Sequence, residues 1–330
     1  MNKAYHIYDQ IKKFSETTTE NRYHVITLPG LLHKLGSSED GYPKFFVITS
    51  ENDFMQNLNA ELLSVEYNML CNIIEADEIF DNQNFTIITL RSENEQLQKM
   101  FVDVFYMMLE SLPQKPTNIS IASKIESLLS IFAKMKHRPI HKLQGLWAEL
   151  LLIEQSNDPV ITARAWHSMP NSKYDFNSGG DKIEVKSTQS EKRLHHFSLD
   201  QLNPSQSSKL LVCSVIVRES AKGDNGLSVF DLYNRINSKI NDSEVRMHLS
   251  EVITDTLGSD FYAAQNKYFD YIEASDRLAF YDYMDIPKIQ KDHIPEHVSE
   301  VRFSSDLTHL KDVREKEYDK GNSDLFNSFF

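Results

Sequence analysis

The chain has 330 residues, of which 40% are hydrophobic and 25% charged, an ordinary composition for a water-soluble globular protein. This length allows two domains with large cores, and no apolar run approaches the ~20 residues that a membrane span requires. The formal net charge is −13, which by itself disfavours a nucleic-acid partner because phosphate attracts Lys and Arg. The start lacks the apolar stretch of a secretory signal, and Cys71 and Cys213 share no metal-ligand spacing. We therefore expect a cytoplasmic protein with reduced thiols.

Residues 1–93 predict a β-rich N-terminal domain. Short β-branched or aromatic runs alternate there with polar, Gly and Pro residues: HVITL, KFFVITS, LLSVEY and FTIITLR. Two amphipathic helices are predicted next, EQLQKMFVDVFYMMLES, which ends before Pro113, and IASKIESLLSIFAKMK.

The central part of the sequence predicts a helix followed by strands. HKLQGLWAELLLIEQ indicates a helix, AWHS a short extended piece, YDFNSGGDKIEVKST a hairpin and KLLVCSVIVRE a strand of the fully buried type. These elements predict an α/β core, a mixed sheet flanked by helices, in a domain of residues 94–220. Residues 221–330 predict an α+β C-terminal extension with helices around VFDLYNRINSKI and EVRMHLSEVITDTLG, strands in KYFDYIEA and RLAFYDYM, and the polar tail KEYDKGNSDLFNSFF.

Charge is unevenly distributed along this order. From Lys134 to Lys209 there are 11 Lys or Arg and 8 Asp or Glu, a net charge of +3, which leaves −16 for the rest of the chain. A locally basic centre is compatible with a groove that receives a polyanion.

The predicted hairpin brings three charged side chains to one face. If its two glycines form a two-residue turn, Asp175 lies across the ladder from Glu184. Side chains two apart on a strand point the same way, so Lys186 joins them. Two carboxylates can hold Mg²⁺ or Mn²⁺, which would lower the pKa of a bound water and neutralise charge at a phosphodiester. Lys186 would orient the attacking water or stabilise the developing charge.

Glu149 is a further candidate because it interrupts the otherwise apolar run LWAELLLI. On a helix it shares a face with Leu146 and Ile153 and therefore points toward buried surface. A buried carboxylate is costly unless it is compensated, and a nearby cation would compensate it. The predicted metal ligands are then Asp175, Glu184, the backbone carbonyl of Val185 and, through water, Glu149. Each feature alone is common in solvated strands, turns and core rims; their order within ~40 residues gives the prediction its weight.

That order resembles the PD-(D/E)XK nuclease superfamily. Asp175 followed by Glu184-Val185-Lys186 matches its hallmark, Glu149 matches the helical acid of many members, and Tyr174 stands where the motif name has proline. GLWAELLLIEQ, the Trp166 stretch, YDF, EVKST, FSLDQL and EVRFSSDL also resemble one bacterial family of PD-(D/E)XK-motif proteins associated with restriction and phage-defence gene clusters. This resemblance runs, with gaps, from about residue 30 to 310.

The resemblance implies a Mg²⁺-dependent deoxyribonuclease with DNA as its partner. Arg193, His195 and His196, which follow the catalytic strand, are candidates for phosphate contact. Gln201 resembles a glutamine that some superfamily nucleases place after that strand, and it is a further candidate for DNA contact. No phosphate-binding loop is present, so any ATPase or methyltransferase would be a separate subunit. Double-strand cleavage by a single-site nuclease implies a homodimer or a larger complex. Two alternatives stay open: a nuclease acting on RNA or on DNA ends, and a catalytically degenerate fold that serves as a DNA-binding or assembly subunit.

Overall fold

The computed structural model describes residues 3–13, 22–50, 55–134, 143–168, 172–223, 225–318, 320–321 and 323–330. The chain divides into two compact units, Met1–Arg138 and Pro139–Phe330. The sequence predicts three domains, 1–93, 94–220 and 221–330. In the structure the two helices Glu95–Glu110 and Asn118–Lys134 belong to the first unit. The strand Ala279–Asp282, which lies in the predicted C-terminal extension, is an edge strand of the central sheet of the second unit. No described helix is long and apolar enough to cross a membrane.

The first unit combines helices with a sheet that closes on itself. Its helices are α1 (Lys3–Ile11), α2 (Glu95–Glu110) and α3 (Asn118–Lys134), and its strands are β1 (Arg22–Thr27), β2 (Lys34–Ser37), β3 (Pro43–Val47), β4 (Leu58–Asn59), β5 (Leu63–Glu75) and β6 (Glu78–Leu90). The strand order is β1-β2-β3-β6-β5-β4, and the sheet closes because β1 also pairs in parallel with β5. The four strands and two helices predicted here are confirmed.

Side-chain alternation along β3 places successive residues in two apolar clusters. Phe46 packs with Phe85 in a cluster built from the sheet. Phe45 points the other way, and its ring centroid lies 5.6 Å from those of both Phe101 and Phe105 on α2. Every residue of α2 from Met100 to Leu109 is buried, so this part of the helix is covered on all of its faces and not only where it meets Phe45.

The second unit begins with helices and a hairpin. Its helices are α4 (Leu143–Gln155), α5 (Pro159–Ala165), α6 (Val229–Lys239), α7 (Ser243–Leu257), α8 (Phe261–Ala264), α9 (Tyr271–Asp276) and α10 (Asp324–Asn327). Its strands are β7 (Phe176–Ser178), β8 (Asp181–Thr188), β9 (Leu194–Ser198), β10 (Lys209–Ile216), β11 (Glu219–Ser220), β12 (Gly226–Leu227), β13 (Tyr268–Asp270), β14 (Ala279–Asp282) and β15 (Arg302–Asp306).

A mixed four-stranded sheet forms the centre of this unit, in the order β14-β10-β8-β7. β7 and β14 run antiparallel to their neighbours, whereas β8 and β10 are parallel, with Glu184 opposite Val212. Apart from Lys209, all of β10 is buried, as its apolar sequence predicts. Helix α4 lies against β8, and α9 lies against β10. The predicted α/β class with a mixed sheet is therefore what the structure shows.

Helix α4 is buried along most of its length because apolar residues occupy all of its faces. Every residue from Leu146 to Glu154 is buried, so both glutamates of this segment lie in the interior. Placing a helix of this kind beside β8 brings Glu149 toward the hairpin.

Two sequence predictions for the C-terminal part need correction. KYFDYIEA is only partly a strand, because Asp270 ends β13 and caps helix α9 by accepting a hydrogen bond from the Glu273 N–H. The tail predicted to be polar packs into the unit: Leu325 and Phe326 are fully buried, since α10 turns their side chains inward.

Candidate metal centre

β7 and β8 form the hairpin that the sequence predicts. Gly179 and Gly180 make its turn, and Gly179 has a φ of +56°, a left-handed conformation that favours glycine. Phe176 is paired with Ile183, so the position before Phe176 lies opposite the position after Ile183. This local register is what fixes the acids relative to each other.

Asp175 occupies the position just before β7, opposite Glu184. Its Oδ2 atom accepts a hydrogen bond of 2.7 Å from the backbone N–H of Val185, so the carboxylate is tied to the neighbouring strand. Val185 thus contributes its N–H to the arrangement, whereas its carbonyl as a metal ligand stays a prediction.

The carboxylate of Glu184 is buried and only partly satisfied. The side-chain amide of Gln201 donates to Glu184 Oε1 at 2.5 Å, and the ammonium of Lys186 lies 2.7 Å from the same oxygen. Glu184 is 4% exposed, and its Oε2 atom is buried with no hydrogen-bond partner among the described residues. A buried carboxylate oxygen without a donor is unfavourable unless a cation or an ordered water satisfies it.

Lys186 is held from several sides. Its Nζ atom lies 5.2 Å from the centroid of the Phe197 ring and donates a long hydrogen bond of 3.4 Å to Gln201 Oε1. That amide oxygen also accepts from the backbone N–H of Ser198 at 3.1 Å, which fixes the orientation of the glutamine. Gln201, predicted from the resemblance, therefore lies in the site and positions both Glu184 and Lys186.

Glu149 reaches the same region from α4. Its Oε2 atom accepts a 2.8 Å hydrogen bond from the Trp166 indole and lies 3.0 Å from Nε2 of His167. Glu154, the other buried glutamate of α4, is compensated differently, because the Lys239 ammonium lies 2.8 Å from its carboxylate. No ammonium or guanidinium group is paired with Glu149 in the described part of the chain.

His167 joins the site through its backbone conformation. Trp166 forms a bridge with Phe176, and the His167 N–H donates to the carbonyl of Asp175 at 2.8 Å. The φ of His167 is +42°, a left-handed value uncommon outside glycine. Donor atoms of Glu149, His167 and Asp175 all lie within 4.8 Å of one another. The sequence did not single out His167, because its approach depends on this turn and on a long-range bridge.

The carboxylates of the site repel one another. Burial, followed by repulsion from Glu184 and Glu149, raises the pKa of Asp175 well above its usual value. Burial also raises the pKa of Glu184, although Lys186 opposes that shift. A divalent cation would relieve this repulsion and would satisfy the orphaned oxygen of Glu184. Carboxylate oxygens are ligands that suit Mg²⁺ and Mn²⁺, so the acidic residues present fit such an ion.

The predicted phosphate-contacting residues have other partners. Arg193 donates to the carbonyl and hydroxyl oxygens of Ser214, both at 2.8 Å, and to the carbonyl of Arg277. His195, a candidate for phosphate contact, is 3% exposed and hydrogen-bonded to Ser214, so its ring lies in the interior. His196 is exposed and lies 2.8 Å from the hydroxyl of Ser304 on β15. Of these three, only His196 presents its ring on the surface.

Comparison with known protein families gives a match over most of the chain. The model of the family described as "Putative PD-(D/E)XK family member (DUF4420)" matches residues 22–308, which is most of the chain. No curated protein and no solved structure matches at a significant level.

Proposed function

The chain belongs to this PD-(D/E)XK family, and we propose that it is a metal-dependent nuclease that hydrolyses phosphodiester bonds of DNA. One observation carries the proposal. Glu184 and Asp175 face each other across the hairpin, with Lys186 in an ion pair with Glu184, and a buried oxygen of Glu184 has no hydrogen-bond partner among the described residues. A set of residues that served only structure would not require repelling carboxylates in its interior.

Asp175 and Glu184 are the residues that would hold Mg²⁺ or Mn²⁺, with Glu149 reaching the ion directly or through water. When bound, the cation supplies an activated water and neutralises charge at the phosphodiester. The register of the hairpin holds the two acids in place beforehand, since the Val185 N–H fixes Asp175 and the Gln201 amide fixes Glu184.

The ammonium of Lys186 acts on the substrate and is not a ligand of the metal. Its side chain is 19% exposed, compared with 5% for Glu184, so the ammonium lies nearer to solvent than the carboxylate with which it pairs. A fixed ammonium there orients a water molecule and stabilises the negative charge that develops on the phosphoryl oxygens. Gln201 positions the ammonium and does not itself need to touch the substrate.

We propose double-stranded DNA as the substrate, within a bacterial restriction or anti-phage system. The resemblance to defence-associated proteins and the net positive charge from Lys134 to Lys209 support this assignment. Because a nuclease with a single active site cuts one strand at a time, we also propose a partner for double-strand cleavage. That partner is a second copy of the chain, or a separately encoded methyltransferase or ATPase subunit.

Supercoiled plasmid DNA tests the proposal. Incubation with Mg²⁺ or Mn²⁺ should yield nicked and linear DNA, and EDTA should abolish both products. A single-stranded RNA of matched length, assayed in parallel, should be cut much more slowly. Intact plasmid with every metal would contradict nuclease activity on DNA, and faster cleavage of the RNA would assign the activity to RNA instead.

A further inference from the structure

A nitrogen donor stands beside the oxygen donors of the candidate metal centre. His167 Nε2 lies 3.0 Å from Glu149 Oε2, and Asp175 offers a carboxylate oxygen within 4.8 Å of both of their donor atoms. Two neighbouring ligands of an octahedral ion are about 3.0 Å apart when each lies about 2.1 Å from the metal. The observed spacing of His167 Nε2 and Glu149 Oε2, which is also a hydrogen-bond distance, equals that of two neighbouring ligands of one ion.

A second observation points to a cation at this place. Glu184, which is 4% exposed, lies opposite Asp175 in the hairpin register, and its buried Oε2 atom has no hydrogen-bond partner in the described ranges. Glu184 is not one of the three residues whose donor atoms all lie within 4.8 Å of one another, but it is paired by the hairpin register with one of them, Asp175, and it carries an unsatisfied buried oxygen.

The backbone around His167 is built to hold its ring there. Its φ of +42° is unfavourable for a residue with a side chain, and such conformations persist where the surroundings fix them. The surroundings here are the bridge between Trp166 and Phe176 and the hydrogen bond from the His167 N–H to the Asp175 carbonyl. The backbone of His167 is thus hydrogen-bonded to Asp175, and its ring lies beside Glu149.

We propose that His167 is a nitrogen ligand of this centre and that it makes the centre prefer Mn²⁺ over Mg²⁺. This inference rests on the proposed function, because it assigns the metal of that same site. Mg²⁺ strongly favours oxygen ligands and retains its water, whereas first-row transition ions gain more from an imidazole nitrogen. A centre made only of Asp and Glu would lack this source of discrimination.

The test combines spectroscopy with metal titration on the full chain. Pulsed electron paramagnetic resonance of bound Mn²⁺ detects a directly coordinated nitrogen as ¹⁴N modulation. The variant is His167→Asn, because asparagine tolerates a left-handed backbone better than most residues. His297→Asn is the matched control, since His297 also has a positive φ, of 66°, but is exposed and far along the chain.

Wild type and His297→Asn should show ¹⁴N modulation, and His167→Asn should lose it. Calorimetric titration should show Mn²⁺ affinity falling at least ~10-fold in His167→Asn, because loss of a ligand should cost no less than loss of a residue that supports one, while Mg²⁺ affinity changes less than about 3-fold. Persistent modulation in His167→Asn, or an equal loss of both metals, would overturn the inference and leave His167 as a hydrogen-bond partner of Glu149. That result would leave the proposed nuclease function standing, whereas absence of binding of either ion to wild type would contradict both proposals.

Discussion

The Nζ atom of Lys186 lies 2.7 Å from Oε1 of Glu184, two residues earlier on the same strand. Alternation along β8 puts both side chains on one face, and the Gln201 amide contacts each of them. The ammonium therefore stands beside a predicted metal ligand without being a ligand itself, which allows metal binding and catalysis to be separated by substitution.

Replacing Lys186 with Met should abolish cleavage and preserve metal binding. The ammonium acts on charge that exists only in the transition state, and loss of one such electrostatic donor costs ~10²- to 10³-fold in rate. Mn²⁺ calorimetry and a cleavage time course should be run on the same preparation. Lys182→Met is the matched control, because Lys182 is on the same strand but hydrogen-bonds to the carbonyl of Gly179 at the turn. Cleavage by Lys186→Met at the wild-type rate would remove Lys186 from the mechanism.

Asp175→Asn should stabilise the protein in EDTA and remove its response to metal. The amide oxygen can still accept from the Val185 N–H, while the repulsion from Glu184 and Glu149 disappears, which should raise the free energy of unfolding. Ion binding at 100 times its dissociation constant should stabilise wild type by about 2.7 kcal/mol and the variant much less. Thermal melts in EDTA and in Mn²⁺ measure both effects. A variant that gains as much from Mn²⁺ as wild type would place the ion elsewhere.

Glu149→Gln should lower activity and raise the metal concentration needed for half-maximal cleavage. The amide oxygen can still accept from the Trp166 indole, so the variant should fold, but the negative charge toward the ion is lost. Cleavage rates across a Mg²⁺ titration measure the change. Glu154→Gln serves as the comparison, because that residue pairs with Lys239 and should affect stability more than metal requirement. Unchanged activity together with a higher melting temperature would mean that Glu149 is only an unfavourably placed charge.

His33 should make the first unit sensitive to mild acid. Burial lowers the pKa of His33 from 6.5 to about 4, so the unfolded chain binds more protons than the folded chain between these values. Stability is therefore fully present above about pH 6.5 and is lost as pH falls toward 4, by about 3 kcal/mol in total. His33→Asn keeps an acceptor for the Ile48 N–H and cannot titrate, so its melting temperature should fall less between pH 7 and 4.5. An identical pH profile for the two proteins would exclude His33 as the cause.

The sequence predicts the hairpin well because its geometry is local. Two glycines set the turn, the turn sets the register, and the register places Asp175 opposite Glu184. Glu149 could also be predicted, since a lone acid in an apolar helix must point inward.

Other parts of the site and fold depend on contacts between distant segments. His167 reaches Glu149 only because Trp166 bridges Phe176, and no spacing in the sequence indicates that bridge. In the same way, β14 joins the central sheet beside β10 from more than 60 residues further along the chain. Such pairings are decided by how well buried faces fit together, which a pattern within one segment does not specify.

The most direct measurement of the central claim is plasmid cleavage by wild type and Glu184→Gln in the same Mn²⁺ buffer, with equal folding verified by thermal melts. Glutamine preserves the size of the Glu184 side chain and removes its negative charge. In the wild type, the buried Oε2 atom of that carboxylate has no hydrogen-bond partner among the described residues. We expect wild type to convert supercoiled plasmid to nicked and linear forms, and the variant to do so at least ~10²-fold more slowly. Equal cleavage rates for the two proteins would contradict the assignment of this hairpin as a nuclease centre.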